Sequence, residues 1–195
     1  MDFTTFEGVL NYTRSQNLPP MYAVALYSQA VHETNNFTSN IYQNANNAFG
    51  MRIAGVRPQN RVGVFETANG NFAMYASPKD SFEDRIDLDE WNKNQAPNNQ
   101  LSLKQYMNQV LDDGYVPMAQ RPSYLSAWTA LAKQVIKNNA SSLGQIDDAD
   151  DWNLSDAESM STPMSIMGIP FKLVTLLLGL GLGFFGIKFL KKKFF

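Results

Sequence analysis

The chain has no cysteine, and His32 is its only histidine. The absence of cysteine excludes a disulfide scaffold, thiolate metal sites and a cysteine nucleophile. A single histidine leaves no partner for a histidine-based metal cluster. The sequence implies neither a metal ion nor an organic cofactor. The 16 basic and 18 acidic residues nearly balance, at a formal charge of −2. Because a general nucleic-acid binder depends on a large positive charge, we expect no nucleic-acid partner.

Acidic residues are absent from positions 164–195, where five lysines occur. Residues 1–163 instead hold 11 basic and 18 acidic residues, which gives that part of the chain a formal charge of −7. The chain therefore combines two physically different segments. Its 195 residues, 44% of them hydrophobic, are enough for one well-buried domain and an additional segment.

A secretory signal is lacking at the N-terminus, because Met1–Glu7 includes two acids and no apolar run. Export by that route is therefore not expected. Near the other end, Leu173–Ile187 is uncharged, and the apolar run reaches Leu190 if Lys188 extends its amine toward lipid headgroups. A helix of about 18 residues spans about 27 Å, just enough for hydrocarbon about 30 Å thick. A buried core helix is the weaker interpretation, since the four glycines of 179–186 would destabilise a helix in water.

We therefore predict a transmembrane helix with a basic tail over residues 164–195. The lipid bilayer is then a partner, and the protein is single-pass and C-terminally anchored. Lys191–Lys193 should stay on the cytoplasmic or anionic-lipid side. Gly179 and Gly183 form a small-xxx-small pair that would let two such helices associate. Before the anchor, residues 141–163 contain six acids and no base, which is typical of an extended, self-repelling linker.

Residues 1–140 are predicted to form the folded domain, in which helical patterns dominate. Pro19 and Pro20 precede a segment that is apolar nearly all round, so we expect a central buried helix there. Four further helices are expected from the apolar spacing and the capping residues, beginning near Phe6, Ser77, Ser102 and Ser123.

One part of the domain is predicted as β structure. The runs Arg61–Thr67 and Asn71–Tyr75 flank Asn69-Gly70, and Asn-Gly between such runs is a strong hairpin signal. If Asn69-Gly70 forms a two-residue loop, Phe65 lies opposite Met74.

This register predicts the faces of the hairpin. Glu66 and Tyr75 would share the face that points away from the core, while Phe65, Phe72 and Met74 would contact the core. The predicted fold class is α+β: a mostly helical domain with one β-hairpin, followed by one C-terminal transmembrane helix.

Glu33 lies at the end of the predicted apolar helix. Partial burial there would raise the pKa of its carboxyl, since desolvation disfavours the charged form. A carboxyl that keeps its proton near neutral pH suits a general acid that protonates a departing sugar oxygen. From spacing alone, an inert surface glutamate near a helix C-terminus is the simpler interpretation.

Five short motifs follow one another within residues 20–137. They are Gln29-Ala30-Val31-His32-Glu33, Asn46–Arg52, Phe65-Glu66-Thr67, Phe72–Ser77, and Gly114-Tyr115 with Tyr124. Together they resemble the bacterial and phage glucosaminidase-type peptidoglycan hydrolases. The pattern of that family is Q-A-x-x-E, N-N-L-F-G-I-K, a hairpin glutamate, F-R-x-Y-x-S and G-Y-A-T-D-P-x-Y. This joint order is far more specific than any single motif.

The resemblance implies a lysozyme-like fold that cleaves the β-1,4-linked glycan of the bacterial cell wall, with peptidoglycan glycan strands as the partner. It implies three catalytic residues: Glu33 as the general acid, Glu66 as the second carboxylate and Tyr115 as a tyrosine of the cleft. The motif residues expected to bind the saccharide are Asn47, Phe49, Tyr75 and Tyr124.

Two segments depart from the family pattern. The family usually continues its glutamate with S-G-W-G, whereas Thr34-Asn35-Asn36-Phe37 follows here. A longer stretch without an acid, Val116–Pro122, replaces A-T-D-P. These departures affect the expected substrate preference and one edge of the cleft.

The expected function is a membrane-anchored peptidoglycan glycosidase of the endo-β-N-acetylglucosaminidase or muramidase type. Its anchor would lie in the bacterial cytoplasmic membrane or in the membrane of a phage particle, where a virion-associated lysin opens the wall locally. The alternatives are a lytic transglycosylase that uses the same glutamate, a non-catalytic wall-binding membrane protein, and a membrane-perturbing protein that acts through residues 164–195.

Overall fold

The computed structural model describes residues 1–98 and 100–144. The predicted transmembrane segment, residues 164–195, lies outside the described residues, as does most of the predicted linker, residues 141–163. Among the residues that are described, no helix is both long enough and apolar enough to cross a bilayer.

The described part of the chain is mostly helical, with one antiparallel β-hairpin between the third and fourth helices. The helices are α1 (Phe6–Ser15), α2 (Pro20–Thr34), α3 (Asn40–Ala45), α4 (Pro78–Asn92), α5 (Leu103–Asp112), α6 (Arg121–Asn138) and α7 (Ala140–Leu143), with a short 3₁₀ helix over Met118–Gln120. The strands are β1 (Gly63–Thr67) and β2 (Gly70–Met74). The predicted α+β class, mostly helical with one hairpin, is confirmed.

Helix α2 is the centre of the domain, as its apolar sequence predicts. Its residues Ala23–Leu26 are completely buried, and the helix packs against α1, α5 and α6. Trp128 of α6 is also completely buried. Its indole N–H donates hydrogen bonds to the Ala25 carbonyl at 3.1 Å and to the Ser28 hydroxyl at 3.0 Å. These bonds fix the position of α6 along α2, so the C-terminal part of α2 lies beside the N-terminal part of α6.

The serines predicted to cap α4 and α5 do so. The Ser77 hydroxyl accepts a hydrogen bond from the Asp80 N–H, while the Asp80 carboxylate accepts one from the Ser77 N–H. Ser102 and Gln105 form the same arrangement at the start of α5. Each capping box satisfies backbone donors that the first helical turn cannot pair, which stabilises the helix start.

The start of α6 differs from the prediction. The helix begins at Arg121, directly after the short 3₁₀ helix, rather than at Ser123. Ser123 does not cap, because its hydroxyl donates backwards to the Gln120 carbonyl at 2.9 Å. Pro122 fits the first turn, since that turn needs no backbone N–H from it.

The predicted hairpin register is wrong by two residues. Phe65 lies opposite Phe72 rather than Met74, and Gly70 belongs to β2 instead of the turn. Gly70 has a φ of 117°, and a Cβ built on it would lie 2.3 Å from a guanidinium nitrogen of Arg52. The positive φ favours glycine at this position within the strand, and the two turn residues are Ala68 and Asn69 rather than Asn69 and Gly70.

A shift by two residues preserves the alternation of the side chains, so Glu66 still lies on the exposed face of β1, opposite Asn71. Tyr75 lies one residue past the end of β2 and is only 1% exposed, so the prediction that it lies on an exposed face with Glu66 is wrong. Strand β2 is buried at both Phe72 and Ala73. Because adjacent residues point to opposite faces, β2 is enclosed on both sides.

Asp84 of α4 is a buried carboxylate that ties the loop before the hairpin to the helix. Arg57 donates two hydrogen bonds to it, at 2.7 and 2.8 Å, and Tyr75 and Gln59 donate one each, at 2.6 and 3.1 Å. Burial raises the pKa of Asp84, but the hydrogen bonds from Arg57, Tyr75 and Gln59 outweigh burial and hold the pKa below its usual range. This cluster also holds Tyr75 in the core.

Replacing Arg57 with methionine should destabilise the fold by about 3 kcal/mol or more at neutral pH, because Asp84 would become a buried charge without its cation. Since the pair lowers the folded-state pKa of Asp84, its stabilisation is present above the ordinary carboxyl pKa and is lost as the pH falls through the folded-state value. Urea unfolding should therefore show a difference between wild type and variant that shrinks as the pH falls toward about 4 and below.

The control for this experiment is Lys79→Met. The Lys79–Glu83 pair is solvent-exposed, so its loss should change the free energy of unfolding little. Equal destabilisation by the two variants would contradict the importance of the Arg57–Asp84 pair.

Candidate active site

Glu33 lies in the last turn of α2, where the central helix leaves the core. The helix ends at Thr34, whose buried hydroxyl donates to the Ala30 carbonyl at 2.6 Å and accepts from the Phe37 N–H at 2.7 Å. Residues 35–37 all have positive φ, between 50° and 61°, and they turn the chain away from the helix. Glu33 therefore remains half-buried at a helix end.

The two carboxylate oxygens of Glu33 have different surroundings. Oε1 accepts a hydrogen bond from the Tyr124 hydroxyl of α6 at 2.5 Å. Oε2 accepts none from any residue that the structure describes, and it faces Gly50, where an added Cβ would lie 3.5 Å from it. Gly50 has a φ of 59°, a left-handed conformation that favours glycine. One oxygen is thus held by the protein, and the other is left for a proton.

Burial raises the pKa of Glu33 to about 7, against the opposing effects of the Tyr124 hydrogen bond and the positive charge of Arg85. This is the direction that the apolar sequence of the helix predicts. Near neutral pH, about half of the molecules therefore carry a proton on this carboxyl. A carboxyl with such a pKa is suited both to donate a proton and to take it back.

Tyr115 and Tyr124 lie side by side next to Glu33, with ring centroids 6.0 Å apart. The Tyr115 hydroxyl donates to the Phe49 carbonyl at 2.6 Å, and the His32 ring packs edge-on against Tyr124. Burial, followed by the negative charge of Glu33, raises the pKa of both tyrosine hydroxyls well above the usual value. Both tyrosines therefore stay neutral near neutral pH and act as hydrogen-bond donors.

All four residues expected to bind the saccharide are buried, and Tyr124 directs its hydroxyl at Glu33. Asn47 is 1% exposed, and its side-chain amide donates to the Met51 and Ala73 carbonyls at 2.9 Å each. Its Oδ1 accepts from the Met51 N–H at 2.9 Å. Phe49 and Tyr75 are 2% and 1% exposed. These side chains shape the loop beside Glu33 from within, because their polar groups and rings are already engaged by the protein.

Glu66, the expected second carboxylate, lies on the exposed face of β1. In the described part of the chain, no hydrogen bond or ion pair connects it to Glu33. The structure therefore brings Glu33, Tyr115 and Tyr124 together, whereas Glu66 lies on the hairpin and is not hydrogen-bonded to any of the three.

Two residues for which the sequence suggested no role, Gln29 and Arg85, lie behind Tyr124. The Gln29 amide donates to the Tyr124 hydroxyl oxygen at 3.1 Å, and Arg85 Nε donates to Gln29 Oε1 at 3.1 Å. Both side chains are completely buried. The sequence holds a signal for each: Gln29 begins the motif that ends at Glu33, one helical turn later, and Arg85 falls on the same helix face as the core residue Phe82.

The arrangement is suited to transfer one proton from Glu33 while the hydrogen bond from Tyr124 stabilises the carboxylate that is left. Within residues 1–98 and 100–144, no three His, Cys, Asp or Glu side chains are grouped so that they would hold a metal ion.

Residues 11–140 match the glucosaminidase family, described as mannosyl-glycoprotein endo-beta-N-acetylglucosaminidase. The chain belongs to this family, and it is a glycoside hydrolase. No curated protein sequence matches the chain.

Two solved structures are similar to the chain. One is the glycoside hydrolase domain of Salmonella typhimurium FlgJ, with 18% identity and a TM-score of 0.50 over 80% of this chain and 99% of that one. The other comes from a type VI secretion system effector–immunity complex of Pseudomonas protegens, with 17% identity and a TM-score of 0.49 over 66% and 88%. The likeness to the FlgJ domain shows a shared fold.

Tyr124→Phe should raise the pKa of Glu33 by about one unit above its value of about 7, because the carboxylate loses a donor that favours its charged form. The measurement is a ¹³C NMR titration of the glutamate carboxyl carbons, with the Glu33 signal assigned from Glu33→Gln.

Tyr12→Phe is the matched control for this titration. It removes a tyrosine hydroxyl that is bonded to Glu83 at 3.1 Å, away from Glu33, and it should leave the Glu33 midpoint unchanged. A Glu33 midpoint that stays in place or falls in Tyr124→Phe would contradict the role of the Tyr124 hydrogen bond.

Proposed function

We propose that the chain is a peptidoglycan hydrolase in which Glu33 is the general acid. The observation that carries the proposal is the half-buried Glu33 carboxyl, which combines a pKa of about 7 with one oxygen held by Tyr124 and the other left free. Membership of the glucosaminidase family supports a glycan substrate. The resemblance of the five motifs to the glucosaminidase-type peptidoglycan hydrolases supports peptidoglycan as that glycan.

In the proposed reaction, a proton moves from Oε2 of Glu33 to the oxygen of a β-1,4 bond while the bond from that oxygen to the anomeric carbon breaks. The electron pair stays on the leaving oxygen, and positive charge develops over the anomeric carbon and the ring oxygen. Burial favours the protonated acid before this step. The hydrogen bond from Tyr124 and the charge of Arg85 favour the carboxylate after it, so the local environment supports both states.

Glu66 is the proposed second carboxylate, which would activate water or form a covalent intermediate. The substrate's own N-acetyl group is a further route. A lytic transglycosylase is the second candidate function, since intramolecular attack that leaves an anhydro sugar needs Glu33 alone.

Glu33→Gln should lower the rate of peptidoglycan cleavage by about 100-fold or more, because general acid catalysis contributes about 10² to 10⁴. Glutamine keeps the size of the side chain and an acceptor for Tyr124, but it has no proton to donate. Full-length protein is incubated with purified peptidoglycan, and the product ends are identified by mass spectrometry. In the wild type, the rate should fall as the pH rises above about 7, since Glu33 then loses its proton.

Glu90→Gln removes the same charge from the exposed side of α4, and it should leave the rate unchanged. Reducing ends identify a glycosidase, and the terminal sugar identifies the bond that is cut. Anhydro ends identify a lytic transglycosylase. Equal rates for the wild type and Glu33→Gln would refute the proposed role of Glu33.

We further propose that residues 164–195 anchor the enzyme in a bacterial cytoplasmic membrane or in the membrane of a phage particle, where it would cut the wall locally. The support comes from the sequence: Leu173–Ile187 is uncharged and is followed by Lys191–Lys193. Gly179 and Gly183 are the proposed contact between two such anchors.

The anchor proposal predicts that the full-length protein stays in the membrane pellet after alkaline carbonate extraction. A variant that combines Leu178→Lys with Leu182→Lys should move to the soluble fraction, because each lysine costs about 2.5 to 3.5 kcal/mol near the centre of a membrane helix. Alanine at the same two positions is the control and should stay in the pellet. Release of the wild type would refute the anchor.

A further inference from the structure

A chain of buried hydrogen bonds runs from Glu33 into the core of the domain. Tyr124 donates to Glu33, Gln29 donates to Tyr124, and Arg85 donates to Gln29. Gln29 and Arg85 are completely buried, and Tyr124 is 9% exposed. Three elements contribute: α2 carries Gln29 and Glu33, α6 carries Tyr124 and α4 carries Arg85.

The chemistry of Arg85 sets the direction of every bond in this chain. A guanidinium has only donors, so the Gln29 carbonyl oxygen must face Arg85. The Gln29 NH₂ group must then face Tyr124 and donate to its hydroxyl oxygen. With that lone pair engaged, the hydroxyl proton points to Glu33 Oε1, which is 2.5 Å away.

Arg85 is itself held firmly in place. Its Nη1 lies 2.7 Å from Oδ1 of Asp89, and its Nη2 donates to the Tyr106 hydroxyl at 3.1 Å. The Tyr106 hydroxyl donates in turn to Asp89 at 2.6 Å. The guanidinium also lies over the Tyr115 ring, 5.3 Å from its centroid. The series of hydrogen bonds thus ends at the fixed charge of Arg85. This charge also contacts Tyr115, the second tyrosine beside Glu33.

We propose that Gln29 is a positioning residue that directs the Tyr124 hydroxyl proton at Glu33, and that Arg85 is the fixed charge that orients Gln29. This inference rests on the proposed role of Glu33 as the general acid. Through this series of hydrogen bonds, the buried Arg85–Asp89 ion pair, which never contacts substrate, adjusts how readily Glu33 gives up its proton.

The other titratable groups near Glu33 each keep one charge state near neutral pH. Tyr115 stays neutral, since burial and the charge of Glu33 raise its pKa well above the usual value. Burial lowers the pKa of His32, so its ring is neutral near pH 7. Arg85 keeps its charge at all accessible pH values. Near neutral pH, the proton on Glu33 is therefore the one that changes, and Tyr124 is its direct hydrogen-bond partner.

Gln29→Glu tests the inference, because it keeps an acceptor for Arg85 and reverses the bond to Tyr124. The introduced carboxylate, charged beside Arg85, accepts the Tyr124 proton in competition with Glu33. The Glu33 midpoint in a ¹³C carboxyl titration should rise by about one unit. The alkaline limb of the pH–rate profile should move with it, and kcat should fall while KM changes less than about twofold.

Two further variants make the result specific. Gln29→Met removes the donor to Tyr124 without adding charge, so it should shift the Glu33 midpoint in the same direction by a smaller amount. Gln105→Glu places the same new charge on the exposed surface of α5 and keeps the acceptor of the capping box there. It should change neither the midpoint nor the pH–rate profile.

The outcomes separate the inference from the proposed function. A lower melting temperature in Gln29→Glu and Gln29→Met, with the Glu33 midpoint unchanged in both, would mean that Gln29 only supports the fold, and the inference would be overturned. Upward shifts in both variants support it. Failure of the wild type to cleave peptidoglycan would overturn the proposed function, while the titration would still decide the link between Gln29 and Glu33.

Discussion

The hydrogen bond from Tyr124 to Glu33 joins the two helices on which the site depends, across 91 positions of sequence. Helix α2 places Glu33 at its C-terminal end, and α6 places Tyr124 in its first turns. Trp128 sets how the two helices lie together, through its bonds to Ala25 and Ser28. Without this alignment, Glu33 would be a half-buried acid with a raised pKa and no donor to stabilise its charged form.

Helix α4 supplies the polar framework around that contact. It carries two buried carboxylates, each with a cation: Asp84 pairs with Arg57 from the loop, and Asp89 pairs with Arg85 of the same helix. Buried ion pairs contribute little net stability compared with apolar packing. In this domain they orient other groups, since the first holds Tyr75 in the core and the second orients the amide behind Tyr124. The inner face of α4 thus orients polar groups as well as packing the core.

Much of the fold could be predicted from local sequence. The apolar run after Pro20 predicts a central helix, and Ser77 and Ser102 predict two helix starts, because capping depends on residues only three positions apart. The same locality explains Glu33, whose raised pKa follows from its place at the end of an apolar helix. The order of the motifs predicted the glucosaminidase family, which the match over residues 11–140 confirms.

The sequence by itself determined five of the seven α-helices, the family and the glutamate at the end of α2, since each depends on neighbouring residues or on their order. Only the tertiary structure decided the hairpin register, in which Gly70, with a φ of 117°, belongs to β2. It also decided that Tyr75 is buried and that Gln29 and Arg85 stand behind Tyr124. These facts depend on packing and hydrogen bonds between residues far apart in the chain, and apolar spacing carries no information about where a buried polar side chain finds its partner.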